Sequence, residues 1–242
     1  MQIPYADIDT IFLDAGNTLI SMDFDWIIHE LAELGLRCDL DSLSRAEAAA
    51  RPAASKLALA NRGAEDTFRH YLYEVLKNLP DRLSRPRIEA LAAALGPRLK
   101  RPGQDYKLWC RLLPGVDRAL TVLRSLGLRL AVVSNSDGSV ERALSGLGVM
   151  RHLEAVFDSE IVGFEKPDTR FFAHALEQLR AEPSRTVHVG DMYHQDVVGS
   201  RQAGLHSVLL DPYDDWAVDD CVVCADLMEL AQRLVAARGG TA

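Results

Sequence analysis

The sequence is poor in cysteine, in net positive charge and in long apolar runs. Its four cysteines are Cys38, Cys110, Cys221 and Cys224, and only the last two are close together. A redox or zinc reading of that C-x-x-C pair needs a flanking helix N-terminus or a second ligand pair. The sequence offers neither, so Cys221-Val-Val-Cys224 reads as a short buried strand. Lys and Arg total 27 against 35 Asp and Glu, a formal charge of −8. No global basic field therefore favours nucleic acid or an anionic membrane. No apolar run approaches the ~20 residues that span a bilayer. The N-terminus, MQIPYADIDTIFLDAG, lacks the basic, apolar and small-residue zones of a secretory signal. The expectation is a soluble, cytoplasmic protein; the oligomeric state stays open.

What is present is ordinary for a globular protein: 48% hydrophobic and 26% charged residues. The length suits one large domain or two smaller ones. Residues 8–13 (IDTIFL) are β-branched and apolar and stop at a polar loop, Asp14-Ala-Gly-Asn-Thr18, as a buried strand does. Residues 24–111 change character. They are rich in Ala, Leu, Glu and Arg, with apolar residues at helical spacing (Ile27, Ile28, Leu31, Leu34; Tyr71, Leu72, Val75, Leu76, Leu79). Gly35, Gly63, Pro80, Pro86 and Arg101-Pro-Gly103 punctuate this stretch. About four helices are predicted. Its arginines (37, 45, 51, 62 and 69) read as a solvated face paired with Glu47, Glu65 and Asp66.

After Leu113-Pro-Gly115, helix and strand alternate. Helix Val116–Leu126 leads to strand Leu128–Val133, which ends at Ser134-Asn135, with Asp137 placed to cap the next helix. Strand Ala155–Phe157 leads to helix Phe171–Leu179, and strand Thr186–Val189 ends at Gly190-Asp191. Then come helix Val197–Ala203, strand His206–Leu210 ending at Asp211, and helix Ala225–Ala237. Such alternation predicts an α/β fold: a Rossmann-like, three-layer core around a parallel sheet. The core is expected over residues 1–20 and 113–242, and an inserted all-helical domain over 21–112. Ligands of open α/β sheets bind at the carboxyl ends of the strands. Those ends carry Asp14, Ser134-Asn135, Gly190-Asp191 and Asp211, and an insertion just after the first strand is placed as a lid over them.

An Asp at a strand end fits a helix cap, a metal ligand or a nucleophile. Taken together, Asp14, Asp191 and Asp196 converge as three acids whose mutual repulsion a cation would relieve. A hard divalent ion with oxygen ligands is the usual solution. Ser134 and Asn135 offer a hydroxyl and backbone N–H groups to an oxyanion. Lys166, held extended by Pro167, can reach in from a loop to neutralise it.

Four segments in order resemble the motifs of the haloacid dehalogenase superfamily: Phe12-Leu-Asp-Ala-Gly-Asn-Thr-Leu19, Val132-Val-Ser-Asn135, Glu165-Lys-Pro167 and Val189-Gly-Asp-Met-Tyr-His-Gln-Asp196. The insertion point resembles that family's first class of cap. The resemblance implies a Mg²⁺-dependent phosphatase acting on a small phosphorylated metabolite through an aspartyl-phosphate. Asp14 is then the nucleophile and a metal ligand, and Gly16 supplies a backbone carbonyl to the metal. Thr18, Ser134 and Asn135 bind the phosphoryl group. Lys166 balances charge, and Asp191 and Asp196 complete the Mg²⁺ site, the latter directly or through water.

One departure stands out. Phosphatases of this family carry a second Asp two residues after the nucleophile, as general acid and base; here that position is Gly16. Three readings follow. Another group substitutes, the candidates being Asp23, Asp25, His29 and His194; or the substrate has a good leaving group; or the protein is not a phosphatase. Dehalogenase and phosphonoacetaldehyde hydrolase branches also lack that Asp. The first needs no metal, which the acid pair argues against. The second needs a cap lysine as Schiff base, for which Lys56, Lys77, Lys100 and Lys107 are poorly placed. A binding or regulatory module with an impaired site is the non-enzymatic alternative.

Overall fold

The computed structural model describes residues 3–58, 64–99 and 108–239. Arg62, Gly63, Lys100, Arg101-Pro-Gly103 and Lys107 lie outside them. In chain order the strands are β1 (Thr10–Leu13), β2 (Ile20–Met22), β3 (Trp109–Leu112), β4 (Arg129–Ser134), β5 (Ala155–Asp158), β6 (Thr186–Gly190), β7 (His206–Leu210) and β8 (Val222–Cys224). The helices are α1 (Phe24–Glu33), α2 (Leu40–Ala58), α3 (Ala64–Lys77), α4 (Arg85–Leu99), α5 (Val116–Ser125), α6 (Val140–Gly146), α7 (Ser159–Val162), α8 (Thr169–Leu179), α9 (Gly199–Gln202) and α10 (Leu227–Ala237). None of the described helices is long and apolar enough to cross a membrane.

The chain divides into two compact units. The first, Met1–Ser21 with Arg111–Pro212 and Ala217–Ala242, is built on a six-stranded sheet of order β5-β4-β1-β6-β7-β8. Every neighbouring pair is parallel, so the fold is α/β and Rossmann-like. β1 starts in the middle; the chain then builds outward through β4 and β5 and crosses back to β6. The order therefore reverses on either side of β1, which is where such sheets open a crevice. Right-handed crossovers place α5 and α6 on one face and α8 and α9 on the other. Side-chain parity agrees: Phe12, Ala131, Val133 and Phe157 share a core with Phe171, Phe172, Ala175, Leu176 and Leu179 of α8. Strands buried on both faces explain the continuous apolar runs read from the sequence.

The second unit, Met22–Cys110 with Tyr213–Trp216, is a bundle of α1–α4. Its core joins Trp26, Ile27 and Leu31 to Leu43, Leu72, Val75, Leu76, Ile88, Leu91 and Leu95. Arg51 pairs with Glu47 (2.6 Å) one turn away, with both side chains buried, and the Tyr71 hydroxyl donates to Glu47. Arg69 pairs with Asp66 on the surface, while Arg45 grips Asp215 with two bonds of 2.7 Å. The arginine reading thus holds at position 69, but Arg51 forms a buried pair and Arg45 reaches a residue remote in sequence.

Three local expectations need correction. β2 and β3 pair as a two-stranded ribbon inside which the unit boundaries fall. Strands this short carry no period, and they form only because the two ends of the insertion run side by side. The stretch Val197–Ala203, predicted to continue a helix, does so as the end of a π-helical turn, Tyr193–Val198, followed by α9; the π geometry was not predicted. The N-terminus of α6 is held not by Asp137 but by Asp158 at the end of β5. Its two oxygens accept from Gly138 N (3.0 Å) and Val140 N (3.4 Å). Proximity of the β5 terminus, invisible in sequence, decides that cap.

Candidate active site

The site grows from the carboxyl ends of β1, β4 and β6. Register sets Leu13 against Val132 on one side and Val189 on the other. Asp14 N continues the ladder to Val189 O at 2.8 Å, so Asp14 and Asp191 emerge from adjacent strands. Asp196 returns to the same point through the π-helical turn. Its N–H donates to Met192 O (2.8 Å), and its Oδ2 accepts from Met192 N (2.9 Å). A π turn inserts one residue into a helical path and re-aims a side chain, as often happens at functional sites. Carboxylate oxygens of Asp14, Asp191 and Asp196 all lie within 4.8 Å of one another, and all three residues are buried.

Lys166 enters from the loop between β5 and α8, at a cis Lys166–Pro167 peptide. Its ammonium is buried and bridges Asp14 Oδ1 and Asp196 Oδ1, each at 2.7 Å. Asn135 holds this loop by a two-way amide contact: Lys166 N donates to Asn135 Oδ1 (2.7 Å), and Asn135 Nδ2 donates to Lys166 O (2.9 Å). The Asn135 carboxamide is therefore committed to the lysine loop. Ser134 ends β4 and is buried. Thr18 is 1% exposed, and its hydroxyl has no hydrogen-bond partner among the described residues. Gly16 lies in a turn closed by Asn17 N to Ile20 O (2.7 Å). Asp211 stands outside the acidic group. Of the substitute acids weighed, Asp23 caps α1 through Trp26 N (3.3 Å), Asp25 and His29 lie in that helix, and His194 lies in the π-helical turn.

Burial works against charge here, and the partners decide which groups keep it. Burial lifts the Asp14 carboxyl above the ordinary carboxylate range, with Lys166 pulling the other way. Asp196 is equally buried, but Lys166 and His188 together hold it far below that range. Burial opposes the Lys166 charge as well, yet Asp14 and Asp196 keep its pKa above normal. Three buried carboxylates face one ammonium, an imbalance that suits a bound cation. An all-oxygen donor set of this kind fits a hard one.

Two contributors were not read from the sequence. Asn17, at φ +50°, donates from Nδ2 to Asp191 Oδ2 (3.1 Å); Asn tolerates that left-handed backbone better than most residues. His188, fully buried in β6, places Nε2 2.9 Å from Asp196 Oδ1. Its signal was available: a polar residue in the middle of an otherwise apolar buried strand, two residues before Gly190-Asp191. The cysteines carry no such chemistry. All four are free thiols, and burial pushes Cys221 up to about 11 and Cys224 up to about 12.

The sequence model of the haloacid dehalogenase-like hydrolases matches residues 8–204. The chain belongs to that family. It is 44% identical over 115 residues to the mouse haloacid dehalogenase-like hydrolase domain-containing protein 3, covering 46% of this chain and 45% of that one. The match thus spans about half the length of that relative. A phosphoserine phosphatase of Thermus thermophilus is 33% identical over 184 residues, 65% of this chain and 74% of its own. Among solved structures, the HAD-hydrolase YfnB of Bacillus subtilis, determined with magnesium bound, superposes with a TM-score of 0.64. It covers 94% of this chain and 98% of its own at 17% identity, a likeness of fold alone.

Proposed function

We propose that this protein is a Mg²⁺-dependent phosphatase acting on a small phosphorylated metabolite through an aspartyl-phosphate at Asp14. The observation that carries the reading is the Lys166 ammonium at 2.7 Å from both Asp14 and Asp196, with Asp191 in the same buried acidic group. Phosphatase-named relatives support it, as does the buried, unpartnered Thr18 hydroxyl, a donor suited to a phosphoryl oxygen.

Lys166 engages Oδ1 of Asp14 and so leaves Oδ2 to attack phosphorus. As the new Asp14–phosphorus bond forms, the bond to the leaving oxygen breaks. Water then cleaves the acyl-phosphate and regenerates the carboxylate. Thr18, Ser134 and backbone N–H groups at Asn135 hold the phosphoryl oxygens, and Lys166 offsets their charge. Asp14, the Gly16 carbonyl, Asp191 and Asp196 are the residues that would hold Mg²⁺, Asp196 directly or through water. When bound, the ion neutralises the carboxylates and the phosphate so that anion can approach anion. The α1–α4 bundle takes the role of the cap that selects the organic part of the substrate.

With glycine at position 16, no carboxylic acid stands two residues after the nucleophile to protonate the leaving oxygen. The reading therefore favours aryl and acyl phosphates, whose leaving groups need no proton. The test is turnover of p-nitrophenyl phosphate, acetyl phosphate and simple alkyl phosphates, with Mg²⁺ and with EDTA. Turnover of the first two that requires Mg²⁺ and disappears in Asp14→Asn is the expected result. Equal turnover by Asp14→Asn, or none of any phosphate by the wild type, defeats the reading.

A further inference from the structure

We infer that His188 is a positioning residue. Through Asp196 it fixes the Lys166 ammonium on Asp14, and its loss slows the chemistry without weakening the fold.

Three contacts share one buried line. His188 Nε2 lies 2.9 Å from Asp196 Oδ1, and the same oxygen accepts from Lys166 Nζ at 2.7 Å. Lys166 Nζ in turn reaches Asp14 Oδ1 at 2.7 Å. A carboxylate only accepts hydrogen bonds, so Nε2 carries the proton. Nδ1, on the far side of the ring, has no partner among the described residues. The ring is 0% exposed and meets Phe172 edge to face, with centroids 5.0 Å apart.

This is poor placement for a residue whose job is stability. A buried ring nitrogen without a partner is a cost that an apolar side chain of similar size would remove. The imidazole provides one directed N–H to Asp196. With that N–H, both oxygens of Asp196 are engaged: Oδ1 by His188 and Lys166, Oδ2 by Met192 N. Without it, Oδ1 has Lys166 as its single donor, and the ammonium is drawn toward Asp196 at the expense of Asp14. Misplacement of a catalytic group by about 1 Å can cost about a hundredfold in rate.

The experiment compares His188→Leu, His188→Gln and the wild type. Leu removes the donor and keeps the bulk; the Gln amide restores an N–H near the Nε2 position. The activity arm rests on the phosphatase reading and uses p-nitrophenyl phosphate with Mg²⁺. For Leu, kcat should fall about tenfold to a hundredfold, with KM within about twofold and Tm equal to or above that of the wild type. Gln should recover most of kcat. The second arm is independent of turnover: crystal structures of the metal-free proteins should show Lys166 Nζ leaving Asp14 in the Leu variant and returning in Gln. Nitrogen NMR should find a proton on Nε2 of wild-type His188, hydrogen-bonded to Asp196.

A Leu variant with wild-type kcat, or one whose lower kcat follows a lower Tm and is not rescued by Gln, overturns the proposal. So does a Lys166–Asp14 contact unchanged in the Leu crystal. If the wild type hydrolyses no phosphate, the phosphatase reading fails and the crystal and NMR results decide the role of His188. If Leu does not fold, His188→Met takes its place, and the same outcomes apply.

Discussion

On the proposed phosphatase reading, Gly16 is the residue that separates this site from an efficient alkyl-phosphate phosphatase. Gly16→Asp would supply the missing acid. We expect alkyl-phosphate turnover to rise by about a hundredfold, the usual scale of general acid–base catalysis, while acyl-phosphate turnover changes little. Steady-state kinetics on both substrates checks this; equal effects on the two would mean the leaving group is not what limits the wild type. A second residue-scale demand falls on Gly190. A Cβ there would sit 2.2 Å from Asp196 Cγ and 2.3 Å from its Oδ2. Gly190→Ala must push Asp196 off Lys166. It should lower kcat at least tenfold, consistent with the cost of small displacements at a reacting centre, and a crystal structure would show the shifted carboxylate.

Among the elements, the one that matters most is the π-helical turn after β6. A regular helix from Tyr193 would carry Asp196 along a different path; the extra residue brings it back beneath Gly190. Helical periodicity near Val197 was legible, but the turn depends on Met192 and Asp196 closing on each other around a buried ammonium. In the helical bundle the corresponding feature is the buried Glu47–Arg51 pair on α2 with the Tyr71 hydroxyl from α3. Spacing of i,i+4 announced the pair, but not its burial. Removing Arg51 takes a bound positive charge away from the buried Glu47 carboxylate. Arg51→Ala should therefore destabilise by about 3–5 kcal/mol, read by urea unfolding at constant m. A loss under about 1 kcal/mol, the scale of exposed pairs, would show that solvent reaches Glu47.

At the scale of the whole molecule, acid stability follows from the paired carboxylates. The hydrogen bond from Arg98 lowers Glu30, that from Arg129 lowers Glu154, and Lys166 with His188 lowers Asp196 against its burial. Each folded-state pKa lies below the ordinary values of 4.5 for Glu and 3.8 for Asp. The stability they contribute is thus present above those values and lost as pH falls through the folded ones. Asp14 runs the other way: its raised pKa favours the folded state below 3.8, and that contribution fades as pH rises through the folded value. Glu30 and Glu154 are solvent-screened, so the buried Asp196 dominates. His188 adds a loss from higher pH, since burial holds its pKa below the ordinary 6.5; the urea midpoint should begin to fall below about pH 6.5 and drop further below about pH 4. A midpoint unchanged at about pH 3 would mean that Asp196 is not the ionised partner of Lys166.

The sequence by itself determined the α/β alternation, the position of the helical insertion and the placement of Asp14, Ser134 and Asp191 at strand ends. Those features follow from local period and polarity: apolar runs that stop at acids, and spacings that repeat every two or every 3.6 residues. It also showed that the site lacks an acid at position 16, since an absence at a motif position is read directly. Only the tertiary structure decided which donors those acids receive. His188 reaches Asp196, Asn17 reaches Asp191, Asn135 clamps the Lys166 loop and Asp158 caps α6. Each is a side-chain contact, to another side chain or to backbone, set by strand order and register, and one-dimensional spacing carries no record of direction. The reversal of the sheet on either side of β1 brings Asp14, Lys166 and Asp196 within hydrogen-bonding reach across 182 residues of chain (196 − 14).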